Sequence, residues 1–209
     1  MITYTFLAII LVFSVYCFND RNAMNKYLFN PYFIHHNKEH YRFLTHAFIH
    51  ADFIHLAFNC LAFYSFGLAL EDVFFPILFG DKLGKLYYLI LFTGGIYAAS
   101  FTEYFRNKDN PDYSSLGASG AISSIIFCYI MVSPLSKISL LFFPIQGWIA
   151  GILLLGVSYY LIRRKKTSDY NDNISHESHF WGALFGVAFI LILKPVLLKQ
   201  FIAQIISSF

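Results

Sequence analysis

The sequence predicts an all-α membrane protein built as a six-transmembrane-helix bundle, and three observations support this class. First, 57% of the 209 residues are hydrophobic and only 13% are charged, whereas soluble domains carry about 25% charged residues. Second, six apolar segments come close to the roughly 20 residues that cross a bilayer. Third, aromatic residues crowd the otherwise polar stretch 19–52, which is typical of a segment lying in the membrane interface.

We expect the six helices to form a single domain over residues 1–209. Their predicted bounds are about 3–18, 53–75, 84–104, 117–132, 138–162 and 176–193. The first segment has no lysine or arginine before Arg21 and no small-residue cleavage pattern, so we interpret it as a retained helix rather than a cleaved signal. Pro76 is expected to end the second helix, and the sixth can continue beyond Pro195.

Composition also argues against several other classes of protein. The net charge of +3 comes from scattered residues, without the basic stripe that nucleic-acid binding requires, so no nucleic-acid partner is expected. Cys17, Cys60 and Cys128 all lie in apolar segments. Their odd number and irregular spacing indicate neither a disulfide framework nor a zinc site.

A single serine lies between two glycines at the start of the fourth apolar segment. The run Gly117-Ala118-Ser119-Gly120 places Ser119 where a helix begins, beside backbone N–H groups that have no intrahelical partner. Polar groups are costly in lipid and tend to mark function there. Ser119 is therefore a candidate nucleophile, although a lone serine in such a segment is more often a small packing residue.

Two other apolar helices also begin with polar side chains. His179 opens the sixth helix and is the candidate general base, because histidine titrates near neutrality. His55 and Asn59 are spaced i and i+4, so they share a helix face and can both donate hydrogen bonds to a developing oxyanion. No Asp or Glu is an obvious third member, so the sequence predicts a Ser–His dyad suited to acyl transfer.

Glycine spacing predicts how the serine and the histidine meet. Gly182 and Gly186 are four residues apart, which allows two helix backbones to approach closely. If this face packs against the glycines that flank Ser119, the helix carries His179 towards the serine, since His179 lies about one turn before Gly182.

Each of these residues also has a less specific explanation. His179 could be structural or part of a proton relay, and His55 with Asn59 could form an interhelical hydrogen-bond clamp. His46 and His50 have the i, i+4 spacing of metal ligands, but the H-E-x-x-H signature is absent. We therefore expect neither a metal nor another cofactor. The catalytic interpretation is favoured because the alternative needs three independent coincidences.

The order of these motifs resembles the rhomboid intramembrane serine proteases over about residues 41–186. The Ser119 run is similar to the family's G-x-S-G nucleophile motif. His55 and Asn59 fit its H-x-x-x-N motif, and His179 with Gly182 fits its H-x-x-G motif.

Weaker matches lie in the first loop and the second helix. Tyr41-Arg42 falls where the family has a W-R pair, so tyrosine replaces the tryptophan. His46 and His50 fall on that loop's histidine positions. Gly67 and Glu71 look like the family's glycine and glutamate on the second helix.

The resemblance implies a six-helix bundle with a water-filled cavity and hydrolysis of peptide bonds in or near the membrane segments of transmembrane protein substrates. Ser119 would attack and His179 would act as base and then acid. His55, Asn59 and the Ser119 backbone N–H would hold the oxyanion. Arg42 and Glu71 would be structural. A protein of rhomboid fold that only binds membrane helices, or a small transporter with a histidine relay, is the alternative.

Polar residues near the mouth of the cavity would let water enter the cavity. We expect His46, His50 and Asp52 to hydrate the entrance above the serine. This placement would let water reach a nucleophile that lies just below the membrane surface.

Two arguments about orientation conflict. One side of the six-helix path carries ten basic residues, namely Arg21, Lys26, Lys38, Arg42, Arg106, Lys108, Arg163, Arg164, Lys165 and Lys166, and the other carries five, namely Lys82, Lys85, Lys137, Lys194 and Lys199. The positive-inside rule places the richer side in the cytoplasm. The resemblance instead places the site on the non-cytoplasmic side of a bacterial inner membrane. We follow the resemblance, because the first loop is expected to be folded in the interface.

Overall fold

Helices dominate the protein in the computed structural model, which describes residues 1–140, 143–167 and 175–209. In chain order they are α1 (Ile2–Asn19), α2 (Arg21–Tyr27), α3 (Pro31–His36), α4 (Arg42–Thr45), α5 (Phe53–Leu68), α6 (Phe75–Phe79), α7 (Asp81–Asn107), α8 (Ser119–Val132), α9 (Gly147–Thr167), α10 (His176–Leu193) and α11 (Val196–Ile206). A 3₁₀ turn at His46–Phe48 follows α4, and a π-helical segment at Ala69–Phe74 joins α5 to α6.

Three stretches are long and apolar enough to cross a membrane, counted over the described residues. They are Ile2–Asn19, Phe53–Phe79 and His176–Leu193. Two further apolar helices, α8 and α11, are shorter. Length and composition thus identify three of the six predicted spans.

The second span continues through Pro76, where the sequence predicted its end. In the π-helical segment, the Phe75 N–H bonds to the Leu70 carbonyl five residues back. Pro76 then lies in the first turn of α6, a position that tolerates the missing N–H. The helix ends instead at Gly80, whose φ of +76° suits glycine.

The start of the fifth predicted helix is wrong, and with it the strictly all-α class. Lys137–Leu140 (β1) and Phe143–Gln146 (β2) pair antiparallel as a short hairpin. Pro144 pairs with Ser139 in this hairpin, whereas inside a helix its ring would clash with the preceding turn. Helix α9 therefore begins at Gly147, nine residues after the predicted start, and the fold is mostly helical.

The interfacial segment 19–52 is folded around a buried arginine. Arg42 is 5% exposed, and its Nη1 donates to the Asn25 and Leu28 carbonyls, both at 2.8 Å. Its Nε donates to Glu39 at 2.6 Å, and its guanidinium also lies over the ring of Phe33 in α3. Arg42 thus joins three short helices, as expected for a structural residue.

Small residues bring α7 and α10 close to α8. A methyl group added at Gly182 would overlap the Gly120 carbonyl, and one at Gly186 would overlap the Ser124 carbonyl. A methyl at Gly120 would lie 2.5 Å from the Ala99 Cβ of α7. Helix α8 is therefore held at backbone contact distance, so the residues at its start have little freedom to shift.

Candidate active site

Ser119 and His179 lie within hydrogen-bond distance of each other. Ser119 is the first residue of α8, and His179 is the fourth residue of α10. The distance from His179 Nε2 to Ser119 Oγ is 2.7 Å, although the two residues are 60 positions apart. The contact between Gly182 and Gly120 one turn further along α10 fixes this spacing, as the glycine pattern predicted.

The loop that leads to Ser119 is shaped by Gly117. Its φ of +112° is a backbone conformation that residues with a side chain rarely adopt. A Cβ at this position would also lie 2.8 Å from His55 Cε1, so the His55 ring packs directly on the glycine. The Gly117 N–H donates to the His46 carbonyl at 2.9 Å, which anchors the loop to the interfacial segment.

His55 and Asn59 lie on the α5 face that borders the same space. Asp52 caps α5 by accepting from the His55 N–H at 2.7 Å. The Asn59 amide is mostly buried and its Nδ2 donates to the His55 carbonyl at 2.9 Å. Nδ2 carries a second hydrogen, so this bond leaves Asn59 able to donate once more.

All four residues line one cavity of about 450 Å³. Three serines near its edge, Ser115, Ser175 and Ser178, add hydroxyl groups to the wall. A second, smaller cleft of about 230 Å³ is lined by Ser119, His179 and mostly apolar side chains of α5, α8 and α9. The serine is thus reachable both from a chamber with several polar side chains and from a mostly apolar cleft.

His50 is buried below the serine loop rather than hydrating the entrance. The Ala118 N–H donates to His50 Nε2 at 3.4 Å, so Nε2 acts as the acceptor and Nδ1 carries the proton. Nδ1 then donates to Ser14 Oγ at 3.0 Å, and Ser14 donates to the Phe48 carbonyl. Burial, and secondarily the nearby His55, lower the pKa of His50 to about 3, so the ring stays neutral.

His46 is likewise buried, with 7% of its surface exposed. Burial lowers its pKa to about 4. The expectation that both histidines hydrate the entrance is therefore wrong for His50, which is fully enclosed, whereas His46 is mostly buried but contributes to the cavity wall. The third residue of that expectation, Asp52, does line the cavity and is exposed.

Among the described residues, the structure does not bring His46 and His50 together as metal ligands with any third donor. Within the part of the chain that the structure describes, the one cluster with suitable spacing is His35, His36 and Asp109, whose ligand atoms lie within 4.8 Å of one another at the protein surface. Asp109 and His36 are exposed there, with Asp109 Oδ1 and His36 Nε2 3.5 Å apart.

Sequence reasoning missed Glu103, which is 1% exposed beside this cavity. Its carboxyl oxygens accept hydrogen bonds from Ser115, Ser175 and Ser178, the last of which directly precedes His179 in sequence. The available signal was a glutamate inside an apolar helical segment, which by itself marks a position of interest.

Comparison with known proteins agrees with this arrangement of motifs. The family model of the rhomboid domain matches residues 37–196, which is most of the chain. The chain belongs to the rhomboid family. It is also similar to a rhomboid relative, the RHOMBOID-like protein 12, mitochondrial, of Arabidopsis thaliana, with 29% identity over 176 residues. That match covers 79% of this chain, and the chain spans about half the length of this curated relative.

Proposed function

We propose that this rhomboid protein is an intramembrane serine endopeptidase that cleaves peptide bonds in or near the transmembrane segments of membrane proteins. The observation that carries the proposal is the 2.7 Å contact between Ser119 Oγ and His179 Nε2 at the wall of a polar cavity. A serine is a weak nucleophile unless a base accepts its proton, and this geometry supplies the base.

The proposed reaction proceeds through an acyl-enzyme. Ser119 Oγ attacks the substrate carbonyl carbon while His179 Nε2 takes the hydroxyl proton. The imidazolium then returns that proton to the leaving amine, which breaks the peptide C–N bond. A water molecule, deprotonated by His179, attacks the ester, and the proton passes back to Ser119 as the second product leaves.

Donors at the start of α8 and on α5 are proposed to stabilise the oxyanion. The first N–H groups of a helix have no partner within it, so the Ser119 amide is available. Asn59 retains one free hydrogen for this task, and His55 supplies a ring N–H from the same helix face. Donors aimed at developing charge in a water-poor site provide much of the rate enhancement in acyl transfer.

The apolar and polar halves of the site suit a membrane substrate. The mostly apolar cleft between α5, α8 and α9 suits the transmembrane segment of a protein substrate as that segment unfolds. The larger cavity, with its polar side chains, supplies the water for hydrolysis. We further propose that α7, α8 and α9 complete six spans with the three apolar stretches. No cofactor is part of this mechanism.

The decisive experiment is cleavage of a model transmembrane substrate by purified protein in liposomes. We expect Ser119→Ala and His179→Ala to be inactive, with the double variant no worse than either, because the two residues act as one unit. Asn59→Ala should lose up to about 10²–10³ in kcat, the usual cost of one oxyanion donor.

A fluorophosphonate probe separates the alternatives. Labelling of the wild type but not of Ser119→Ala supports the protease. Full turnover in Ser119→Ala would contradict it, and a wild type that neither cleaves nor labels would favour the helix-binding or transporter alternative.

We also propose that the site opens to the non-cytoplasmic side, in a bacterial inner membrane. Lys82 and Asn110 are exposed near opposite ends of α7, and Asn110 lies in the loop that leads to Ser119. With the native cysteines replaced by alanine, Asn110→Cys should react with an impermeant thiol reagent on spheroplasts while Lys82→Cys is protected. The reverse pattern would place the site in the cytosol, as the basic residues predict.

A further inference from the structure

Glu103 is a buried carboxyl group with several hydroxyl donors. It lies in the last turns of α7 and is 1% exposed. Ser175 and Ser178 both donate to Oε1, the latter at 2.8 Å, and Ser115 donates to Oε2 at 3.0 Å. Burying a carboxyl group is costly, and donors on both oxygens are what offsets that cost.

The donors come from the two segments that carry the proposed dyad. Ser115 belongs to the loop that ends at Ser119. Ser175 and Ser178 belong to the start of α10, and Ser178 is the residue directly before His179. One carboxyl group on a third helix is therefore the common partner of both segments.

Two further contacts hold the same two segments, the start of α10 and the loop before Ser119. Arg106, one turn after Glu103, pairs with Glu177 at 2.5 Å, so α7 holds the start of α10 a second time. The backbone of Ser115 is held as well, by two hydrogen bonds to Phe29 at 2.9 and 3.0 Å.

We propose that Glu103 is a positioning residue. It sets the distance between Ser119 and His179, because it binds both the loop before Ser119 and the helix turn before His179. The proposal rests on the proposed protease function. It follows from the sensitivity of nucleophile–base geometry, since a displacement of about 1 Å can cost 10²-fold in rate. The carboxyl group touches neither the substrate nor the reacting atoms.

The test compares Glu103→Gln with Ser100→Ala. An amide has one acceptor oxygen and its NH₂ faces hydroxyl donors, so the hydrogen bonds to one of the two segments must rearrange. We expect kcat and the rate of fluorophosphonate labelling to fall about 10-fold or more, a part of the loss that a 1 Å displacement causes. KM and the thermal midpoint should stay near the wild-type values.

Ser100→Ala is the matched control. Ser100 lies one turn before Glu103 and is equally buried, but its hydroxyl donates only to carbonyls of its own helix in the described contacts, those of Ile96 and Tyr97. It should leave both rates unchanged. A kcat for Glu103→Gln equal to that of Ser100→Ala would overturn the positioning role.

Single-donor variants decide the question if Glu103→Gln does not fold. Ser115→Ala and Ser178→Ala should each lower kcat at unchanged KM, and Ser115→Thr, which keeps the hydroxyl, should restore it. Full activity in both alanine variants would refute the proposal. Because Ser119→Ala tests the protease itself, a protease that is silenced by Ser119→Ala but indifferent to these changes would refute the positioning role alone.

Discussion

Glu71 and Glu103 are both buried, but they are satisfied by different partners. They lie near opposite ends of α7. Glu71 accepts from the Thr3 N–H, and the Thr3 hydroxyl is hydrogen-bonded to Tyr88 of α7. Tyr88 and Glu103 are about 22 Å apart along this helix. Glu71 accepts from two backbone amides, Ile2 N–H at 2.5 Å and Thr3 N–H at 2.8 Å. Glu103 accepts only side-chain hydroxyls among its described hydrogen bonds.

The difference assigns the two carboxyl groups separate tasks. The first amides of a helix have no internal acceptor, so Glu71 completes the start of α1 and fixes that helix to the π-helical segment. The partners of Glu103 are rotatable hydroxyl groups on two separate segments. Loss of Glu71 should therefore appear in stability, and loss of Glu103 in the rate of the reaction.

The largest effect on stability that we predict is that of Glu71→Gln. A glutamine can accept from one of the two amides with its oxygen, but its NH₂ group faces the other amide as a second donor. We expect the free energy of unfolding to fall by about 2–3 kcal/mol, the upper part of the range for a buried hydrogen-bonding group left unpaired. Thermal unfolding in detergent should show a midpoint several degrees lower.

The neighbouring Asp72→Asn is the matched control, since Asp72 is exposed and its replacement should leave the midpoint unchanged. The folded fraction of Glu71→Gln should cleave substrate at the wild-type kcat. A lowered kcat with an unchanged midpoint would remove the distinction between the two glutamates.

Short-range sequence patterns predicted part of the structure, whereas contacts between distant segments were missed. Local patterns were enough for the three apolar spans and for the contact between Ser119 and His179, because Gly182 and Gly186 encode a close helix pair within a few residues. The partners of Glu103 are up to 75 positions away, in the loop before Ser119 and at the start of α10, so no local pattern indicates them.

The hairpin and the buried histidines were missed for related reasons. Residues 138–146 are apolar enough for a membrane helix, and only the position of Pro144 distinguishes the two structures. The i, i+4 spacing of His46 and His50 suggested exposed polar groups or metal ligands. Their burial depends on how the whole segment 19–52 folds against α1, which spacing does not encode.

A smaller loss of stability is expected near the candidate active site when the pH is lowered. The folded pKa of His50 is about 3, against an ordinary value of 6.5, so the unfolded chain binds a proton in that window and the folded protein does not. The stability that His50 contributes is complete above pH 6.5 and is lost as the pH falls towards 3. At pH 5 the loss is about 2 kcal/mol, since one pKa unit corresponds to 1.36 kcal/mol. His46 acts in the same direction.

The measurement is the thermal midpoint at pH 8 and at pH 5 for the wild type, His50→Gln and His40→Gln. Glutamine can accept from the Ala118 N–H and does not titrate, so His50→Gln should lose less stability on acidification than the wild type, even if its midpoint at pH 8 is lower. His40→Gln replaces an exposed histidine and should follow the wild type. An acid-induced loss in His50→Gln as large as in the wild type would show that His50 does not hold the serine loop as a neutral ring, and that the acid sensitivity of this end arises elsewhere.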